Sequence, residues 1–190
     1  MEDGARPWLL VTNDDGPDSP ALLPLLRELS KLGDVRTLIP DTERSWSSKT
    51  MSQGRRLRVV ENEMDGFTIA SVNGSPADCA NLGIHNIWPT PPALVVSGVN
   101  MGTNAGLSFL LSSGTVGAAI EAALCGVPSA AFSVQLEKPD YQRWRRERNL
   151  DSLADLWAST AAVSGEIVAE ILAGGLPSNA SLLNVNMPPR

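Results

Sequence analysis

The chain has 190 residues, a formal charge of −6 and a composition in which 43% of residues are hydrophobic and 19% charged. That length supports one compact domain, residues 1–190, with enough core to fold without disulfides or a structural metal. The acidic balance argues against a nucleic-acid scaffold built on phosphate neutralisation, but leaves room for small anionic substrates held by a cation and backbone N–H groups.

The first residues, MEDGARPW, are acidic and carry no apolar stretch, so no secretory signal is expected. No apolar run reaches ~18 residues, which predicts no membrane span. Cys79 and Cys125 are far apart and fit no metal-type spacing; in apolar, helical surroundings they read as free thiols of a reducing compartment, and a cytoplasmic protein is expected. The single histidine, His85, lies within NLGIHNIW and reads as a polar or capping side chain, which leaves no multi-histidine metal site and disfavours a Ser-His-Asp triad.

Taken in chain order, residues 9–16 (LLVTNDDG) come first. Their unalternating apolar run reads as a strand buried on both faces, ending in a loop that carries Asp14 and Asp15. Ser19 and Pro20 predict a helix cap and first position, followed by the leucine-rich ALLPLLRELSKLG, where Pro24 falls near the first turn. Residues 35–39 form a second strand, so the chain opens with a β-α-β unit of right-handed crossover. Residues 41–54 form a hydroxyl-rich loop that can reach the first one. Residues 55–60 and 67–72 predict paired strands around Asp65 and Gly66. Ser75 and Pro76 then start a helix running to about residue 87. Residues 93–97 form another buried strand, followed by the loop GVNMGTNAG, whose glycines permit close backbone approach and whose asparagines supply neutral oxygen and nitrogen. The alanine-rich helix after Ser113-Gly114-Thr115 offers free N–H groups and a positive dipole end suited to phosphate. Residues 129–134 form a strand, LEKPDYQRWRRERN a charged solvated loop or helix face, residues 150–172 a long amphipathic helix and residues 182–186 a last strand.

The strand-end loops thus contribute Asp14 and Asp15, the hydroxyls of Ser45, Ser47 and Ser48, Asn100 and Asn104, and the helix start at Ser113 to Thr115. All are oxygen ligands or anion holders, a set that suits Mg²⁺ or Mn²⁺ better than zinc and points to phosphoryl chemistry.

The motifs TNDDG, ERS, GSPADC, SGVNMGTN, SGTVGAAIEAALCGVPSAAFS and NVNMP, in this order along nearly the whole chain, resemble the SurE family of survival proteins. The resemblance implies an α/β, Rossmann-like three-layer fold with a mostly parallel central sheet and a small β-hairpin excursion, its site at the strand carboxyl ends. It also implies a metal-dependent phosphomonoesterase acting on nucleoside 5′- or 3′-monophosphates, and for some members on short polyphosphate. Carried over motif by motif, one divalent cation (Mg²⁺ or Mn²⁺) would be held by Asp14, Asp15, Ser45 and Asn100. One of the two aspartates would orient or deprotonate water, and Asn104, Ser113, Gly114 and Thr115 would hold the phosphate. A homodimer or tetramer is implied as well. Family members continue several tens of residues past NVNxP, into a segment used for subunit exchange, whereas this sequence ends at Arg190; a shortened form or a fragment is expected. Pro17 and Ala21 replace the usual isoleucine and glycine, and Trp46 stands where a small residue is usual.

Two rival readings differ in chemistry. An aspartyl nucleophile would want acids two apart on one face of the strand end, whereas Asp14 and Asp15 are adjacent and point differently. A nucleotide-binding or interaction module without turnover would bind a nucleotide and release no phosphate. A dinucleotide-binding protein is disfavoured because the first strand ends in NDDG and not in G-x-G-x-x-G.

Overall fold

A computed structural model describes residues 6–147 and 153–189. Seven strands form one sheet: β1 (Trp8–Thr12), β2 (Asp34–Pro40), β3 (Val59–Met64), β4 (Phe67–Val72), β5 (Leu94–Met101), β6 (Ser129–Val134) and β7 (Leu182–Met187). Their order is β3-β4-β2-β1-β5-β6-β7, and every pairing is parallel except β3 with β4. The helices are α1 (Leu22–Leu29), α2 (Pro76–Leu82), α3 (Leu107–Ser112), α4 (Gly114–Leu124), α5 (Lys138–Glu147) and α6 (Ala154–Gly174), with a π-helical turn at Gly83–Ile87 where His85 faces solvent. The architecture is the α/β, mostly parallel, three-layer fold that the motifs imply.

Because β1 lies centrally, both its faces are buried, and its side chains serve two cores. Leu9 and Val11 pack with Leu22, Leu25, Leu26 and Leu29 of α1 and with Trp157 and Val168 of α6. Leu10 packs on the other side with Cys79 of α2 and Ala122 of α4. Two helical layers result, α1 with α6 and α2 with α4. By length and composition α6 could cross a bilayer, yet its Leu156, Trp157, Ala161, Val168 and Ile171 are buried in the protein core. Residues 1–5 and 148–152, which include the start of the predicted long helix, lie outside the described residues.

Several boundaries depart from the sequence reading for local reasons. Ser19 does not cap α1: the helix starts at Leu22, after a turn in which the Leu22 N–H donates to the Ser19 carbonyl, and the buried Ser19 hydroxyl has no hydrogen-bond partner among the described residues. Pro24 then falls in the first turn of α1, where a backbone N–H would be unsatisfied anyway, and so it ends nothing. The strand expected over residues 55–60 lies instead at Val59–Met64. The two-residue turn Asp65–Gly66, with φ of 51° and 81°, pairs Met64 with Phe67 and so sets the register. The hairpin joins the main sheet through β4, which pairs with β2.

The largest difference concerns β5. The predicted loop GVNM is strand, bulged between Ser97 and Asn100 against β6. Gly98 has a φ of 125°, and a Cβ there would strike the carbonyl oxygen of Phe132. The bulge re-aims the end of the strand, and this is how Asn100 comes to line the cleft described below.

The core makes a direct prediction. Leu25 is fully buried between α1 and the sheet, so Leu25→Ala should lower the unfolding free energy by about 2–5 kcal/mol. Urea unfolding followed by circular dichroism would measure it as a lower midpoint at unchanged slope.

Candidate active site

In an open parallel sheet, ligands bind beyond the carboxyl ends of the strands, where neighbouring connections run to opposite faces. Here β1 is flanked by β2 and β5, and loops from three strands meet above it. A cleft of about 340 Å³ opens there, lined by Asp14 after β1, Ser45 and Trp46 after β2, and residues 100–105 at the end of β5. Gln135 and Leu136 after β6, with Phe109, Ser112, Ser113 and Tyr141, complete the wall. Asp14, Ser45, Asn100, Asn104 and Ser113 therefore share one cavity, although they are up to a hundred residues apart in the chain.

The NDDG turn is held by its own first residue. Asn13 Nδ2 donates to the Gly16 carbonyl at 2.9 Å, and the Gly16 N–H donates back to Asn13 Oδ1 at 3.1 Å. This closed ring presents Asp14 to the start of α4. There the Thr115 hydroxyl donates to Asp14 Oδ1 at 2.7 Å, and the Thr115 backbone N–H is also directed to that carboxylate. Burial pushes the Asp14 carboxyl above its ordinary range and the nearby Glu43 charge adds to this, while the Thr115 hydrogen bonds work the other way.

The helix N-terminus thus has a tenant from the protein itself. Of its N–H groups, that of Thr115 serves Asp14 and that of Val116 donates to the capping Ser113 Oγ at 3.1 Å. Gly114 leaves room for this contact, since a Cβ there would crowd the Asp14 Cβ and Ser47 Oγ. Thr115 is buried behind Asp14, whereas Ser113 lines the cleft.

Asp15 points elsewhere. It is buried and lines an adjacent hollow with Pro17, Asp18, Asp41, Thr42, Glu43 and Trp144. Glu43 links the two spaces: its Oε1 accepts from Ser45 Oγ at 2.6 Å and pairs with Arg145 of α5 at 2.6 Å. The charged segment over α5 therefore places one arginine on the site's rim, and its buried Trp144 anchors the helix.

The second loop is fastened at both ends. The Arg44 N–H donates to the Asp14 carbonyl at 2.7 Å, and the Ser48 N–H donates to the Ser112 carbonyl at 2.9 Å. The loop lies so close to α4 that a Cβ on Gly117 would strike the Ser48 carbonyl. Farther on, Asp78 accepts from the Ser52 N–H at 2.8 Å, the Ser52 hydroxyl at 2.6 Å and the Ser75 N–H at 2.8 Å. GSPADC is thus a clamp, a capping box on α2 whose acid also ties down the serine loop. Lys49 is fixed by Glu121 at 2.5 Å, and Asn81 donates to the same carboxylate at 2.8 Å.

Asn104 is positioned from the sheet edge. Its backbone N–H donates to Asn186 Oδ1 at 2.8 Å, its carbonyl accepts from Asn184 Nδ2 at 3.0 Å, and its Nδ2 donates to Ser133 Oγ at 2.9 Å. Asn184, Asn186 and Ser133 were not singled out from the sequence as site residues. The alternation Asn-Val-Asn on a strand was the available signal, because it puts both amides on one face. Asn100, half-buried, donates through Nδ2 to the Gly102 carbonyl at 3.1 Å, and this orients the amide at the cleft.

Among the described residues no group of three or more His, Cys, Asp or Glu side chains is placed to hold a metal ion. The donors that do converge are a carboxylate, a hydroxyl and an amide, with Asp15 beside them, all hard oxygen ligands. That chemistry fits an alkaline-earth-like cation, and a desolvated Asp14 would gain from a positive charge in the cleft.

Fold and site together define an open α/β protein whose ligand cleft is an oxygen-donor site backed by a helix N-terminus. The comparisons with known proteins agree with this. The family model for survival protein SurE matches residues 9–190, and the chain belongs to that family. It is 38% identical to the 5′-nucleotidase SurE of Methanoculleus marisnigri, over 97% of this chain and 68% of that protein. It is also 38% identical to the one from Archaeoglobus fulgidus, over 95% and 66%. The crystal structure of the SurE protein from Aquifex aeolicus superimposes with a TM-score of 0.78 at 33% identity, covering 96% of this chain and 66% of that one. The chain thus spans about two thirds of the length of these relatives.

The clamp yields a prediction of defined sign. Burial would raise the Asp78 carboxyl, but the hydrogen bonds from Ser52 and Ser75 outweigh it and hold the group below its ordinary 3.8. Glu121 is held low in the same way, Lys49 and Asn81 outweighing burial. A depressed carboxyl stabilises fully above its unfolded-state value and loses that contribution as pH falls through the folded one. Asp78→Asn should therefore cost about 1–3 kcal/mol at pH 7. The gap to wild type should close as pH drops below the ordinary aspartate range, as urea unfolding at pH 7 and pH 3 would show.

Proposed function

We propose that the chain is a phosphomonoesterase that hydrolyses nucleoside 5′- or 3′-monophosphates to nucleoside and phosphate, with one divalent cation, Mg²⁺ or Mn²⁺, as cofactor. The observation that carries this reading is the convergence of Asp14, Ser45, Asn100, Asn104 and Ser113 on one cleft at the strand carboxyl ends. The names of the relatives, 5′-nucleotidases, support it. Activity toward the 3′ isomers and short polyphosphate is the broader part of the proposal. A single domain and a cytoplasmic setting belong to it too, the latter supported by two free thiols.

Asp14, Ser45 and Asn100 would hold the cation from within the cleft, and Asp15 from the side of the adjacent hollow. Bound there, the cation supplies Lewis acidity toward the phosphoryl oxygens and acidifies water. Asp14 lines the cleft with its Oδ1 engaged by the Thr115 hydroxyl. Asp14 or Asp15 takes a proton from the attacking water as the water oxygen bonds to phosphorus. The ester P–O bond breaks, and the proton held by that aspartate passes to the leaving oxygen, so the nucleoside departs as the alcohol. Asn104 retains one Nδ2 hydrogen beyond that given to Ser133, and with Ser113 and the Gly114 end of α4 it would stabilise the equatorial phosphoryl oxygens. Thr115 acts through Asp14 as a positioning residue.

Wild-type protein should release phosphate from AMP or GMP in the presence of Mn²⁺ or Mg²⁺, and chelator should abolish the release. Asp14→Asn should reduce kcat/KM at least about 100-fold, the scale of losing one preorganised charge-stabilising group. Full activity with chelator present, or in Asp14→Asn, would refute the reading.

Thr115→Val tests the buried support separately. It should weaken Mn²⁺ affinity about 10–100-fold, the range for an outer-shell partner, with the fold intact by circular dichroism. Activity should return at raised Mn²⁺ concentration.

A further inference from the structure

The cleft has a second kind of wall that the phosphoryl chemistry leaves unused. Trp46 is 70% exposed and Phe109 52% exposed, yet their ring centroids lie 5.8 Å apart with the planes inclined at 47°. Both rings line the same cleft as Asp14 and Asn104, and Tyr141 joins them there. The chain has five tryptophans, three phenylalanines and one tyrosine, and one of each lines this opening.

The rings are held in place without being buried. Trp46 has a φ of 60° and Ser48 a φ of 53°, left-handed conformations that persist in residues with side chains only where surroundings impose them. The Ser48 N–H and hydroxyl donate to the carbonyls of Ser112 and Leu111, at 2.9 and 2.7 Å. The loop that carries Trp46 is thereby bolted to the last turn of α3, the helix that carries Phe109. Trp46 also follows Ser45 directly, so a polar floor residue and a rim aromatic are one peptide apart.

We infer that the Trp46–Phe109 pair is the nucleobase platform of this cleft and makes the chain selective for phosphate monoesters that carry a flat heteroaromatic ring. A ligand spanning this cleft meets oxygen donors at one end and aromatic faces at the other, and a nucleoside monophosphate has that polarity. Stacking tolerates any base because every base offers a π-face, so the platform selects for the presence of a base over its identity. Sugar phosphates and polyphosphate would reach the floor and gain nothing at the rim. This inference rests on the phosphomonoesterase reading above.

The test compares kcat/KM for AMP with that for ribose 5-phosphate, which keeps the ester and lacks the base, in wild type, Trp46→Ala, Phe109→Ala and Trp46→Phe. The AMP to ribose 5-phosphate ratio should fall about tenfold in each alanine variant, the lower part of the range for losing one stacking partner. The fall should come mainly through KM for AMP, and Trp46→Phe should restore most of it. An unchanged ratio in Trp46→Ala would overturn the inference, and so would an equal loss on both substrates, which would mean a structural role. An unchanged ratio with a smaller sedimentation coefficient would overturn it in favour of a contact between copies of the chain. If wild type releases phosphate from neither substrate, the phosphomonoesterase reading fails by itself. The platform is then judged by adenosine: saturable quenching of tryptophan fluorescence that is lost in Trp46→Phe supports it, and no quenching overturns it.

Discussion

The contact on which the site depends is the seating of the Asp14 carboxylate on the first turn of α4. A carboxylate removed from water is costly unless donors compensate it, and here Thr115 offsets part of that cost with the positive end of a helix behind it. The contact joins β1, at the centre of the sheet, to a helix that begins over a hundred residues later. It therefore fixes the distance between the first loop and the third. Gly114 is part of the same constraint, since any side chain there would separate the two.

The second loop is then laid over this junction in a sandwich. Below it lie the small residues of α4, at Gly114 and Gly117, and beyond it Asp78 and Glu121 hold Ser52 and Lys49. Neither acid lines the cleft, so their low carboxyl pKa values serve fastening. Two acids in one protein thus take opposite shifts from the same physics. Desolvation of the deeply buried Asp14 outweighs its hydrogen bonds and raises it, while the hydrogen bonds from Ser52 and Ser75 outweigh the burial of Asp78 and lower it. The first condition suits a group that waits for a cation, the second a group that must stay charged to hold a loop.

Much of this was legible because the informative residues sit at element ends. LLVTNDDG announced a buried strand and its acids, β6 fell at the expected residues, and Ser75-Pro76 marked a helix start that became a full capping box. Misreadings came where tertiary contact overrode local chemistry. Ser19 has the side chain of a cap, yet the turn before α1 leaves it behind. GVNM has the glycine and asparagine of a loop, yet pairing with β6 keeps it strand through Met101. Asp14 and Asp15 are different: adjacency at a strand end implies that they point differently, and they line different hollows. Asn184 and Asn186 were hidden for a further reason: their importance lies in Asn104, and only the parallel pairing of β6 with β7 brings the three together.

The cleft divides its work between parts of different rigidity. Most of the polar floor is built at strand ends and at a helix cap, where neighbouring elements hold the donors by hydrogen bonds. Asn104, for example, is held by three side chains from two adjacent strands. The rim comes from a loop and a short helix that touch the floor through Ser48 and the end of α3. Chemistry at phosphorus demands fixed geometry, while stacking on a ring tolerates small displacements. A side chain can therefore be exchanged at position 46 without moving Asp14, because the loop's backbone contacts at Arg44 and Ser48 bypass it. Recognition is in this sense partly separable from catalysis within one cavity: the aromatic rim can vary over Asp14 and Asn104, which are tied to α4 and the sheet, while Ser45 shares the loop of Trp46.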